Sequence, residues 1–162
     1  MFSVTIGKRV VAKELVNNGN VPVYSANVVE PFGYIDKLLI ADFSLLSVLW
    51  GIDGDWMTTY MPADTLFYPT DHCGVLRCHM NIIHPKYLAH VLDIQGKKIG
   101  FSRNLRASID RIEGIKITVP SAEEQEKIIS QIITLEQRIA EAEKKLVSLN
   151  GKTSEKLIKY LE

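Results

Sequence analysis

Two periodicities divide the chain. From Ile128 onward, apolar residues recur at alternating spacings of four and three, at Ile128, Ile132, Leu135, Ile139, Ala142, Leu146 and Leu149. Such spacing keeps one seam of a helix on one neighbour, as in helices that wind around another helix. Between the seam positions sit Gln131, Glu136, Gln137, Arg138, Glu141, Glu143, Lys144 and Lys145. Ser121 stands at the N-cap position and Glu124, three residues on, completes a capping box. Glu123, Glu124 and Glu126 set negative charge against the positive end of the helix dipole. A helix from Ser121 to Leu149 is roughly 42 Å long at about 1.5 Å per residue, more than a small body needs to cover itself. The Asn150-Gly151 pair predicts its C-cap, and Leu157, Ile158 and Leu161 predict a further amphipathic turn.

Ahead of this helix, short apolar runs alternate with turn-forming clusters, the pattern of a sheet-rich body. Turns are expected at residues 17–20, 31–33 and 51–54. Strands are expected at residues 21–29, 34–40, 45–50, 57–61, 65–68 and 73–79, with a last short strand at 116–119 before Pro120. Pro85 opens a predicted helix through KYLAHVLD. The fold class is therefore α+β, a sheet-rich domain over residues 1–119 followed by a long helix over 120–162 that packs in a coiled-coil-like manner.

Composition narrows the function classes. In 162 residues the apolar share is 46% and the charged share 23%, the values of an ordinary globular protein. No apolar run is long enough to span a bilayer and the N-terminus lacks secretory features, so a cytoplasmic location without membrane association is expected. Cys73 and Cys78 are too few for a disulfide scaffold. Net charge is zero, yet between Lys97 and Arg111 five basic residues (Lys97, Lys98, Arg103, Arg106, Arg111) face a single Asp110. A basic stripe on a neutral protein indicates focused contact with an anionic partner. Ser102, Asn104 and Ser108 add hydrogen-bonding side chains within it.

The run IKITVPSAEEQEKI, with Pro120 followed by Glu124-Gln125, together with NVPVYSAN (Asn20 to Asn27), Gly33-Tyr34-Ile35, the Pro85-Lys-Tyr-Leu88 helix and the loop from Gly100 to Ser108, resembles one half of a type I restriction-modification specificity subunit. That half is one target-recognition domain followed by one conserved spacer helix. The resemblance implies a non-catalytic, sequence-specific DNA-binding subunit without a cofactor. Its expected partners are double-stranded DNA, a methyltransferase (modification) subunit and a restriction subunit. A full specificity subunit resembles two such halves in tandem, so a homodimer or pairing with a second half through the C-terminal helix is expected. Two such helices packed antiparallel would hold two domains about one turn of B-DNA apart, roughly 34 Å.

Arginine pairs with guanine and asparagine with adenine in the major groove, which makes Arg103, Asn104 and Arg106 the first base-reading candidates. Lys97, Lys98, Arg111, Lys8 and Arg9 suit phosphate contacts, with Ser25 and Asn27 as further candidates. Asp110, Glu113 and Lys116 approximate a nuclease triad but sit in an expected turn, and Asp71-His72 with a distant serine is too generic for a hydrolase. His72, Cys73, Cys78 and His79 are poorly spaced for zinc and are expected to line a strand, leaving no metal site. The competing reading is a non-enzymatic adaptor that dimerises through its C-terminal helix.

Overall fold

The computed structural model describes residues 2–79 and 82–161, with the backbone alone for 154–159 and 161. Backbone contacts divide the chain into two compact units, Met1–Ala122 and Glu123–Glu162.

The first unit is built on two sheets. In the larger, β1 (Phe2–Ile6), β7 (Cys73–Cys78), β4 (Ser47–Gly51) and β5 (Thr58–Met61) lie in the order β1-β7-β4-β5, all antiparallel. In the smaller, β2 (Val21–Tyr24) lies between an antiparallel β3 (Gly33–Ile35) and a parallel β6 (Tyr68–Pro69). All five residues of β4 are buried, because both faces of the strand are covered. Leu49 packs with Val28, Met61, Phe67, Cys73 and Val75. Helix α1 (Pro85–Ile99) also contacts β4 and β5, with Tyr87, Leu88, Ala89 and Leu92 buried. A second cluster, Val10, Val21, Val23, Ile35 and Tyr68, fills the smaller sheet.

Observed strands are shorter than the apolar runs that predict them. The 21–29 run stops at Tyr24 because the Asn27 side-chain oxygen accepts from the amides of Val29 and Glu30, at 2.9 and 3.0 Å, and turns the chain. The 34–40 run ends at Ile35, where Asp36 turns back to accept from the Asn20 amide. The expected strand at 116–119 is not a strand. The Thr118 carbonyl accepts from the Tyr87 hydroxyl at 3.1 Å instead of joining a ladder. The expected turn around Asp110 and Glu113 is a short helix, α2 (Ile109–Glu113), with Ile112 buried.

The second unit is a helix, α3 (Ala122–Leu161), of 40 residues, about 60 Å long. It begins directly after Ser121. It does not end at Asn150-Gly151 as expected. A helical glycine there lowers stability by only about 1 kcal/mol, and the Thr153 hydroxyl donates to the Leu149 carbonyl across the junction at 3.0 Å. The side chains of Leu157, Ile158 and Leu161 lie outside the described residues. Gln125 and Ile129 are buried, while Leu135, Ile139, Leu146 and Leu149 of the apolar seam are more than half exposed. Ala142 is also exposed, and Ile128 and Ile132 are half-buried. Among the described residues no helix is long and apolar enough to cross a membrane.

Candidate nucleic-acid interface

Several loops of the first unit gather where β1, β2, β4 and β6 end and β7 begins. Their convergence follows from backbone hydrogen bonds between segments far apart in sequence. After β1, the Gly7 amide donates to Cys73 and the Lys8 amide to Pro69, at 3.2 and 3.1 Å. A Cβ at Gly7 would overlap the Pro69 carbonyl, so this approach requires glycine. It leaves Lys8 and Arg9 exposed beside the turn between β6 and β7. In that turn the Thr70 amide donates to Tyr24 at 2.8 Å, and its hydroxyl donates to the Ser25 hydroxyl at 3.1 Å. The Ile52 amide donates to His72 at 3.0 Å, which ties the turn after β4 to the same place.

The basic stretch from Lys97 to Arg111 is not one loop. Lys97 and Lys98 occupy the last turn of α1, and Lys97 pairs with Asp93 at 2.6 Å. Gly100, with φ of 84°, terminates the helix. Its amide donates to the Gly96 carbonyl, as does that of Phe101, the left-handed glycine stop of many helices. Phe101 is buried against Trp56, the ring centroids 5.0 Å apart. A tight turn follows, in which the Ser102 amide donates to Leu105 and the Ser102 hydroxyl accepts from the Leu105 amide. Arg103 and Asn104 are exposed at its tip. The far side of the loop is fastened to the sheet. The Ala107 amide donates to Ile52 at 2.8 Å, and the fully buried Trp50 indole donates to the Ala107 carbonyl at 2.9 Å. Ser108 precedes α2, and Arg111 on that helix donates to the Arg106 carbonyl at 2.6 Å.

Two residues absent from the expected DNA-contact set sit at the centre. Asp53 places its carboxylate oxygens 2.8 and 2.9 Å from His72 Nδ1, and one of them lies 3.4 Å from the Arg106 guanidinium. Asp53, His72, Arg103, Ala26 and Gly54 line an open cavity of about 340 Å³. Arg103 and Arg106 are therefore joined to His72 through one acid and one cavity, and Ser25 reaches the same place through Thr70. Asn27 lies near Ser25 in the chain, but its side-chain oxygen is engaged in the local turn. Lys97, Lys98 and Arg111 are carried by helices, not by the loop. Asp53 and His72 carry little signal in sequence: each flanks a turn cluster, and nothing linear announces their meeting across 19 residues.

The His72, Cys73, Cys78 and His79 set does not converge. Cys73 and Cys78 sit at opposite ends of β7, both buried. Burial pushes the Cys78 thiol up to about 11 and the Cys73 thiol further. His79 meets the Ser3 hydroxyl. Among the described residues no three His, Cys, Asp or Glu side chains form a metal-binding group.

The family described as type I restriction modification DNA specificity domain matches residues 1–150. Over 92 residues the chain is 32% identical to a Mycoplasma pneumoniae protein provisionally described as the N-terminus of a type I specificity subunit; the match covers 56% of this chain and 49% of that one. The fold is similar to a crystal structure described as the S subunit of a type I restriction-modification system from M. genitalium, with a TM-score of 0.66 and 18% identity, over 92% of this chain and 40% of the other. The chain thus spans about half the length of the curated relative it matches.

Proposed function

We infer the function from the chain's family: it belongs to the type I restriction-modification DNA specificity domains. Its body recognises one half of a bipartite duplex target, and α3 docks methyltransferase subunits while setting the distance to a second recognition body. The chain contributes no chemistry itself; a modification subunit, and a restriction subunit where the complex cleaves, supply it in the cytoplasm. The observation that carries this reading is the exposed Arg103-Asn104 tip on a loop fastened through Ala107 to the sheet. A rigid platform presenting Arg and Asn at an exposed tip is what direct reading of base edges needs. The open seam of Leu135, Ile139, Leu146 and Leu149 supports a helical partner, a second copy of this chain or another half-subunit.

Methylation mapping in cells that hold this gene with its modification subunit tests the reading. A bipartite methylated sequence is expected, and a symmetric one if the chain pairs with itself. Arg103→Ala should relax one target position by about 1 to 3 kcal/mol; an unchanged motif would remove Arg103 from the site. Lys97→Ala should weaken all sequences alike. The exposed Asp93 pair is no obstacle, since such pairs contribute about 0 to 1 kcal/mol. The exposed seam also suits an adaptor that uses α3 to bind another protein. Duplex binding in the presence of the modification subunit separates the two, because only a DNA reader loses affinity steeply as salt rises.

A further inference from the structure

We propose that Asp53 is a specificity-determining positioning residue: it fixes His72 and Arg106 for reading a base edge and keeps phosphate from occupying the site. The inference rests on the DNA-reading function above and assigns a role to two residues outside its contact set. Asp53 is the most covered of the three, its side chain 24% exposed against 46% for His72 and 55% for Arg106. The acid is thus the covered partner, and the imidazole and guanidinium it holds are the more exposed ones. Both its oxygens face Nδ1 of His72, so the imidazole turns Nε2 outward. The Asp71 carboxylate lies 3.9 Å from Nε2, beyond hydrogen-bonding distance. Arg106 sets one arm of its guanidinium 3.4 Å from Asp53, and its side chain as a whole remains more than half exposed. Ala26 and Gly54 in the cavity wall carry no side chain that would block a base from reaching these groups.

The electrostatics separate base reading from backbone binding. Arg103 and Arg106 without an acid beside them would attract phosphate anywhere along a duplex, a contact that carries no sequence information. A carboxylate in their midst cancels one positive charge and repels phosphate. A neutral base edge meets no such repulsion and can exchange hydrogen bonds with the guanidinium, which donates, and with Nε2, which accepts while Nδ1–H donates to Asp53. Removing the acid should therefore move affinity and specificity in opposite directions.

The test uses the full chain with its modification subunit, a pool of random duplexes, and the affinity ratio between the selected duplex and a scrambled one at fixed salt. Asp53→Asn should bind the scrambled duplex more tightly than wild type does. Its ratio should fall by about tenfold or more, the loss of one base-reading pair, and its selected motif should degrade at only one or two adjacent positions. Arg106→Gln and His72→Gln should degrade those same positions, and Asp53→Asn combined with Arg106→Gln should be no worse than the poorer single variant. If Asp53→Asn does not fold, the agreement of the other two variants decides. An unchanged motif and ratio in Asp53→Asn, loss spread over the whole motif, or loss at unrelated positions in the Arg106 and His72 variants would overturn the proposal. A wild-type complex that selects no motif would instead overturn DNA reading itself, and the inference with it.

Discussion

Trp50→Phe should cost the protein about 2 to 4 kcal/mol through two separable effects. Trp50 is fully buried in β4, and its indole N–H is the donor to the Ala107 carbonyl in a bond buried on both sides. Phenylalanine keeps the aromatic packing but removes that donor, and a buried carbonyl left without one costs about 1 to 3 kcal/mol. The lost pyrrole ring opens a space of about 40 Å³, which at about 24 cal/mol per Å³ adds about 1 kcal/mol. Gly74 sits directly against the indole, where any Cβ would overlap the ring, so backbone and not a mobile side chain borders the space and relaxation is restricted. Urea unfolding followed by far-ultraviolet circular dichroism measures the difference as a shifted midpoint at unchanged slope. Hydrogen exchange supplies an independent readout: the Ala107 amide, bonded to Ile52, should exchange faster in the variant because the loop has lost its second anchor. A destabilisation under about 1 kcal/mol with unaltered exchange at Ala107 would show that the indole does not fasten the loop, and the rigid-platform argument for Arg103 and Arg106 would fail.

Gly96→Ala sets two effects against each other. Alanine gains about 1 kcal/mol of helix propensity, but its Cβ would overlap the Trp56 ring, and overpacking costs about 1 to 3 kcal/mol; a lower thermal midpoint with altered tryptophan fluorescence is expected, and a stabilised protein would refute the packing. Leu135→Asp or Ile139→Asp should dissociate oligomers while leaving the body folded; light scattering that finds an unchanged mass above that of one chain would contradict the seam's role. The buried thiols predict alkaline lability. Cys78 holds its proton up to about 11 against an ordinary 9.0, so the folded state binds more protons than the unfolded state in that window. The contribution of the thiols is then flat below about pH 8 and falls as pH rises from 9 toward 11. Unfolding free energy measured across that range checks the slope, and neither cysteine should react with a disulfide reagent at pH 8 until the protein unfolds.

What the linear pattern determined about this protein is local or periodic. Apolar runs marked β4 and β7 because burial of a strand writes itself into consecutive residues. The heptad spacing marked α3, and Pro120 and Ser121 its start, because caps and seams depend on neighbours within a turn or two. The same local signals overreached at Asn150-Gly151, where glycine permits a helix stop but does not impose one, and at 116–119, where β-branched residues lack a strand to pair with. Only the tertiary structure decided the candidate site. Lys97 to Arg111 is contiguous in sequence yet divides among α1, a loop and α2, because Gly100 stops one helix and Ala107 is held by Trp50 and Ile52. Asp53, His72 and Arg106 belong to three separate segments, and their meeting follows from where β4 ends, where β7 begins and how the loop after α1 is tied down. Such proximity is a property of chain closure, which residue type and spacing do not encode.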